Sequence, residues 1–343
     1  MTSSTKRVLI LCGGKSSEHE ISCISAGGVY AAIDRTKFEP IIVGITKSGE
    51  WVIPGPDQLY EIRDGVLPEI SRGRSMGISD IFAELKPDLV FPLLHGPYGE
   101  DGTVQGLLEM AGIRYVGSGV LASAVAMDKS FAKPIFASHG LQIAQGVVLH
   151  QRDWNGEINL DGLLFPLFVK PARGGSSRGT TKVKRAEHLV AAIDEALTFD
   201  TKVMIEEAIV GREIECAVLE FDGKAQASPV GEIMIDPRFE FYDFEAKYLD
   251  GSTHLGLPSD LPLAEIKSAA ITAFKALGCE GLARVDFFYS SEGKLIINEI
   301  NTMPGFTPTS VFPKLWAETG REYQTVISDL LEAALTRSIN VTR

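Results

Sequence analysis

The sequence has 343 residues, 45% of them hydrophobic and 23% charged, which suits two or three packed domains of an ordinary globular chain. A formal net charge of -12 argues against nucleic acid or an anionic membrane as the main partner, so any phosphate must be held by a local pocket. Cys12, Cys23, Cys216 and Cys279 form no CxxC pair; neither a zinc site nor a disulfide framework is signalled, and reduced thiols in the cytoplasm are expected. Val8 to Leu11 is too short an apolar run for a signal peptide, and no stretch approaches transmembrane length.

Lys6 to Cys12 reads as a buried strand running into Gly13-Gly14-Lys15-Ser16-Ser17, after which Ile21, Ile24, Val29 and Ile33 recur at roughly helical spacing. Pro40 to Ile45 and Leu89 to Leu93 are further strands, the second preceded by a helical stretch around Ile81 to Leu85. This alternation predicts a small parallel α/β sheet. The glycine turn lacks GxGxxG and fits a dinucleotide fingerprint only loosely. The alternative is a substrate loop at a helix N-terminus, with Glu18 and Glu20 on the first turn, where acidic groups also suit the helix dipole. His95 to Gly102 is a second glycine-rich loop, leading into a helix from about Thr103 to Met110, and His95 is a candidate substrate contact. Gly117 to Ser123 reads as a flexible stretch marking the first domain boundary.

Met127-Asp128-Lys129 starts a helix, and Gly146 to Leu149 and Phe165 to Lys170 read as strands. Arg173-Gly174-Gly175-Ser176-Ser177-Arg178-Gly179 follows; it lacks the Gly-Lys-Ser/Thr ending of a P-loop, yet such a loop can fold over phosphates and offer backbone N–H groups. Val203 to Glu206 and Glu213 to Glu220 are strands. Pro237 to Gly256 is rich in aromatics and charges without periodicity, which suits a functional lid, with Tyr242, Lys247 and Tyr248 its residues of interest. Leu263 to Leu277 is an amphipathic helix and Tyr323 to Leu335 a terminal one.

Between those helices, Ala283 to Tyr289 and Lys294 to Ile300 read as a hairpin. A two-residue loop at Glu292-Gly293 sets Asp286 opposite Glu299 and Arg284 opposite Asn301, all on one face. Two carboxylates and an amide oxygen suit a hard cation such as Mg²⁺, and Arg284 beside them would meet an anion.

Taken in order, GGKSSEHEIS, HGPYGEDGTVQG, MDK, KPARGGSSRG, YDFEAKY, the Arg284-Val285-Asp286 to Asn298-Glu299-Ile300-Asn301 segment and NTMPGFTPTS resemble the D-alanine:D-alanine ligase family of the ATP-grasp superfamily over nearly the whole chain. The resemblance implies a three-domain α/β ATP-grasp fold: a Rossmann-like parallel-sheet substrate domain at 1–122, then ATP-grasp subdomains at 123–212 and 213–343, the last with the lid at 237–256. It implies ATP-dependent joining of two D-alanines through an acyl phosphate, for peptidoglycan precursors, by a cytoplasmic homodimer with no nucleic-acid or membrane partner. Ligases making D-alanine–D-lactate or D-alanine–D-serine, and a catalytically dead ATP-binding regulator, are the alternatives.

For the site, the resemblance implies two Mg²⁺ (or Mn²⁺) on Asp286, Glu299 and Asn301, and phosphate contacts from Lys129, Lys170 and, from the lid, Lys247. Glu206, Ile209 and Glu213 would line the adenine and ribose pocket, with Ser177 and Glu207 also on the nucleotide. Glu18 would anchor the first ammonium within a cluster with Ser176 and Tyr248. Arg284 would hold the oxyanion and Ser310 the second carboxylate, with His95, Tyr242 and Gly305 around the substrates. Gly174, Arg178 and Glu207 depart from the commoner pattern of the family.

Overall fold

The computed structural model describes residues 5–55, 57–58, 60–221, 223–236, 238 and 254–338. Its described strands form three sheets. In the first, β1 (Lys6–Gly13) lies parallel between β2 (Phe38–Ile45) and β5 (Leu89–Pro92), with β6 (Arg114–Tyr115) beyond β5. The short β3 (Trp51–Ile53) and β4 (Arg74–Ser75) close the other edge antiparallel. Val8 to Cys12 are wholly buried because both faces are covered, which is why β1 reads as a continuous apolar run. Val8, Ile10 and Cys12 pack on Cys23, Ala26 and Val29 of α1 (His19–Ala32). Leu9 and Leu11 face Ile81 of α2 (Ile78–Leu85) and Val104 and Leu108 of α3 (Thr103–Met110).

The stretch expected to be flexible, Gly117 to Ser123, is where helix α4 (Val120–Met127) begins, and the expected boundary at 122 falls inside it. Five of the eight residues of VLASAVAM are Ala, Leu or Met, so local propensity outweighs the small-residue character that suggested a linker. Helix α5 (Lys129–Ser138) follows, with Asp128 as its N-cap accepting from Ser130 N at 3.1 Å. Strand β7 (Gln142–Ile143) then joins the third sheet, parallel to its last strand.

The second sheet is antiparallel, ordered β10 (Thr181–Val183), β9 (Leu167–Pro171), β11 (Lys202–Glu207), β8 (Gly146–His150), and α6 (Leu189–Leu197) packs on it. The third runs β14 (His254–Gly256), β13 (Lys224–Met234), β12 (Gly211–Phe221), β15 (Leu282–Ser290), β16 (Leu295–Asn301), β7. α4, α5 and α7 (Leu263–Ala276) share a core with it, so the segment before β8 belongs with the third sheet and not with the second. On its other side, Ala217, Leu219 and Leu282 share one core with α8 (Val311–Ala317), α9 (Tyr323–Thr336) and the α1 face of the first sheet. That common core fixes the first and third sheets together.

The β15–β16 hairpin carries a correction. Ser290 N donates to Lys294 O at 2.8 Å and Tyr289 pairs with Leu295, so three residues, not two, form the loop. A three-residue loop alone would slip Asp286 by one position. An irregularity between Asp286 and Phe287 restores the register, with Phe287 opposite Ile297 and Asp286 opposite Glu299, leaving Asn298 as the extra residue.

Candidate active site

A cavity of about 560 Å³ lies between the second and third sheets, within the range of small-molecule sites. Lys129, Lys170, Ser176, Ser177, Glu206, Glu207, Ile209, Glu213, Asp286 and Glu299, ten residues proposed from sequence, line it. Lys129 and Lys133 share one face of α5 at i, i+4 spacing. Lys133 Nζ donates to Glu206 Oε1, and Lys170 Nζ meets Glu206 Oε2 at 2.7 Å and Asn298 Oδ1 at 3.2 Å. Lys129 Nζ meets Glu299 Oε2 at 2.8 Å and Gly174 O at 2.9 Å.

The electrostatics follow from burial with unequal numbers of charges. Burial alone would raise the Glu206 carboxyl, but Lys133 and Lys170 hold it at about 2. Burial lowers Lys133 to about 8, since it shares one carboxylate with Lys170 and has Lys129 nearby. Burial also works against the Lys129 ammonium, yet Glu299, Glu206 and Glu100 raise its pKa. Three buried or nearly buried lysines around two carboxylates leave one positive charge in excess at this end of the cavity, which favours an anion there.

Along the hairpin face, Arg284 donates to both oxygens of Asp286 at 2.7 Å and meets Glu215 Oε2 at 2.9 Å. The guanidinium expected to meet an anionic ligand is therefore held by two protein carboxylates. Asn301 Nδ2 donates to Asp286 Oδ2 at 3.0 Å. Among the described residues no group of three or more His, Cys, Asp or Glu side chains is placed to hold a metal. The facing pair Asp286 and Glu299 with the Asn301 amide is nonetheless an all-oxygen donor set, and it fits a cation that takes a few protein ligands.

Glu18 stands at the N-cap of α1, 8% exposed, and Ser176 Oγ donates to its Oε1 at 2.5 Å, joining the glycine–serine loop to the first sheet. Two glycines make room for that carboxylate: a Cβ at Gly96 would lie 2.7 Å, and one at Gly175 2.9 Å, from Glu18 Oε2. Glu20, two residues on and so turned to the other side of the helix, pairs instead with Lys47 at 2.6 Å.

His95 lies behind this carboxylate and not on the cavity. Its Nδ1 bonds Met303 O at 3.0 Å, so that nitrogen carries the proton, and Nε2 accepts from Ser25 Oγ at 3.0 Å. Both ring nitrogens thus have protein partners, and the ring ties the first sheet to the loop after β16. Ser310 precedes α8, its Oγ accepting from Thr307 N at 3.0 Å, and a Cβ at Gly305 would lie 3.2 Å from that oxygen. Tyr242, Lys247 and Tyr248 lie outside the described residues; of the expected lid, 254–256 forms strand β14.

Sequence reasoning missed Lys133, Asn298, Glu215 and Glu100. Lys133 was discoverable from its four-residue spacing to Lys129. Asn298 needed the bulge, and Glu215 needed the pairing of Glu215 with Asp286 across β12 and β15. Glu100 sits inside the second glycine loop; burial, with Glu18 and Glu299 adding to it, pushes its carboxyl well above the usual range.

Two family models account for most of the chain: the D-ala D-ala ligase N-terminus over residues 7–118 and the D-ala D-ala ligase C-terminus over residues 135–332. The chain belongs to the D-alanine–D-alanine ligase family. It is 49% identical to a D-alanine–D-alanine ligase of Paenarthrobacter aurescens, the match covering 96% of this chain and 95% of that one. Among solved structures it resembles the VanG D-Ala:D-Ser ligase of Enterococcus faecalis, with 34% identity, a TM-score of 0.79 and coverage of 96% and 100%. It also resembles a D-alanine–D-alanine ligase of Bacillus anthracis complexed with ATP, with 29% identity, a TM-score of 0.75 and coverage of 96% and 98%. The ligase family's ATP-grasp fold is thus the fold of this chain, its second and third sheets enclosing the cavity.

Proposed function

We propose that the chain joins two D-alanine molecules at the expense of ATP, supplying a peptidoglycan precursor. One observation carries this reading: a lysine-lined cavity between two sheets opens along the same hairpin that carries Arg284, Asp286 and Glu299, with the Glu18–Ser176 pair nearby. Burial, Glu18, Arg284 and Glu299 all act on Glu100, so the ammonium-binding and phosphate-binding ends are electrostatic neighbours.

In this reading Lys129 and Lys170 hold the phosphates, while Glu206, Glu207, Ile209, Glu213 and Ser177 surround the rest of the nucleotide. Glu18, kept in place by Ser176, receives the ammonium of the first D-alanine and presents its carboxylate to the terminal phosphoryl group. The D-alanine carboxylate takes the terminal phosphoryl group as ADP leaves; the second amine, in its neutral form, attacks the acyl carbon, Arg284 stabilises the oxyanion, and phosphate leaves with the proton shed by the nitrogen. Ser310 receives the second carboxylate. Asp286, Glu299 and Asn301 would hold Mg²⁺, which supplies charge neutralisation for the phosphates. The lid at 237–256, with Lys247 and Tyr248, would exclude water from the acyl phosphate. Holding the reactants in line is worth on the order of 7–11 kcal/mol of the barrier.

All four cysteines are buried and unpaired, which supports a reducing cytoplasm; the homodimer implied by the family is read out by light scattering. No helix of the described residues is long and apolar enough to cross a membrane. The test of the function is phosphate release that requires D-alanine, followed by product analysis with D-alanine, D-serine and D-lactate in competition. A second reading, D-alanine–D-serine ligation, draws on the likeness to the Enterococcus faecalis enzyme. The greater identity to the Paenarthrobacter aurescens ligase favours the dipeptide of D-alanine. A predominance of the D-serine product would reverse that preference.

A further inference from the structure

We infer that Gly28, in the third turn of α1, is a positioning residue for the second substrate, because it sets where the loop from Gly305 to Ser310 rests. The inference stands on the reading of Ser310 as the group that receives the second carboxylate.

Gly28 has ordinary helical geometry, so its backbone does not require glycine, and helix propensity alone would favour alanine. Space requires it. A Cβ at position 28 would lie 2.8 Å from Pro308 Cδ, 3.2 Å from Pro308 Cγ and 3.0 Å from Tyr323 Oη. Pro308 Cδ is bonded to the backbone nitrogen and has no rotamer through which to escape, so a methyl there must move main chain. Tyr323 Oη donates to Phe306 O at 2.8 Å, so the second contact reaches the same loop two residues earlier.

The loop transmits such a push. Thr307 N and Oγ1 both bond Ser310 Oγ, at 3.0 and 2.8 Å, so residues 306 to 310 move together. Retreat into the core is blocked, because the Phe306 ring is wholly buried, 5.6 Å from the Phe91 ring and 5.7 Å from the Phe312 ring. Glu18 stands ten residues before Gly28, about 15 Å along the same helix. α1 therefore acts as a strut, with the first ammonium site at one end and the seat of the second carboxylate's loop near the other.

The test is Gly28→Ala, with rates measured over a wide range of D-alanine so that its two Michaelis constants separate, and with ADP affinity and melting measured alongside. The KM for the second D-alanine is expected to rise about tenfold, about 1.4 kcal/mol, the size of a modest overpacking. The first KM and the ADP affinity should change by less than about twofold, since Glu18 and the lysines are untouched. Pro308→Ala, which removes Cδ and Cγ, should bring the second KM of Gly28→Ala back to that of Pro308→Ala alone. Tyr323→Phe, which removes the other contact and its bond to Phe306, should raise the second KM without the first. An unchanged second KM in Gly28→Ala overturns the inference. So does an equal rise in both constants with a lowered melting temperature that Pro308→Ala does not restore. A wild-type protein that forms no D-alanyl product overturns the ligase reading instead, and is told apart by that control.

Discussion

Lys133→Met removes an ammonium from the most buried part of the cavity while keeping an unbranched stem. Lys133 and Glu206 have side chains 4% and 5% exposed, so the change leaves a buried carboxylate with Lys170 alone, at 2.7 Å. Two effects oppose each other. Glu206 titrates at about 2 in place of its ordinary 4.5, which corresponds to about 3 kcal/mol of stabilisation from the lysines, part of which is lost. Against this, Lys133 is lowered by burial to about 8 from 10.5, so deleting its charge removes a desolvation cost. Because one lysine remains and the desolvation cost of Lys133 is recovered, the loss falls well below the 3–5 kcal/mol typical of a broken buried pair, and we expect about 1 kcal/mol at pH 7.5. The sign with pH is fixed by the depressed carboxyl. Its contribution is complete above 4.5 and disappears as pH falls through about 2, whereas in the variant a smaller contribution disappears at higher pH. Urea unfolding followed by tryptophan fluorescence at pH 7.5, 5 and 3 should therefore show the two proteins converging in acid. Equal stability at pH 7.5, or a gap that widens at pH 3, would refute the argument.

Three other outcomes test the site. Glu299→Gln should abolish turnover while leaving the fold intact, with a lowered melting temperature because the buried Lys129 loses its carboxylate partner; near-normal turnover at limiting Mg²⁺ would remove this face from consideration as the metal site. Arg284→Lys should lower kcat by about a hundredfold, because an ammonium cannot span Asp286 and Glu215 as the guanidinium does, and steady-state kinetics with wild-type-like ADP binding would confirm it. His95→Ala should cost about 2 kcal/mol by calorimetry, from the lost bonds to Met303 O and Ser25. Burial lowers the His95 pKa below 6.5, so the unfolded chain takes up a proton first and stability falls as pH drops below that value; the variant should show a shallower fall.

Local chemistry was legible wherever one segment supplied it. The continuous apolar run of β1 announced a strand covered on both faces, and the first acidic residues after the glycine turn lay where α1 begins. What escaped depended on partners distant in sequence. Nothing near His95 reveals that Ser25 and Met303 will occupy both its nitrogens, the latter 208 residues away. Nothing near Arg284 reveals that Glu215 will lie across from Asp286 on the neighbouring strand. By propensity Gly28 is an unfavourable residue in a helix, and only the loop that packs against it shows why a larger one does not fit.

The hairpin shows how a correct placement can arise from an incorrect premise. A two-residue loop and a regular ladder would put Asp286 opposite Glu299; the protein uses three loop residues and reaches the same pairing because Asn298 is left over. The extra residue has a chemical consequence. In a regular strand Asn298 and Glu299 would point to opposite faces, yet both line the cavity, Asn298 accepting from Lys170 and Glu299 from Lys129. One irregularity therefore gives each lysine its own oxygen partner on β16 and spaces the two ammonium groups along the cavity. Deleting Asn298 itself would leave Asp286 opposite Glu299 in a regular ladder, since Phe287 already pairs with Ile297. Lys170 would then keep Glu206 alone, so the bulge, more than the loop, distributes the positive charge that a triphosphate would meet.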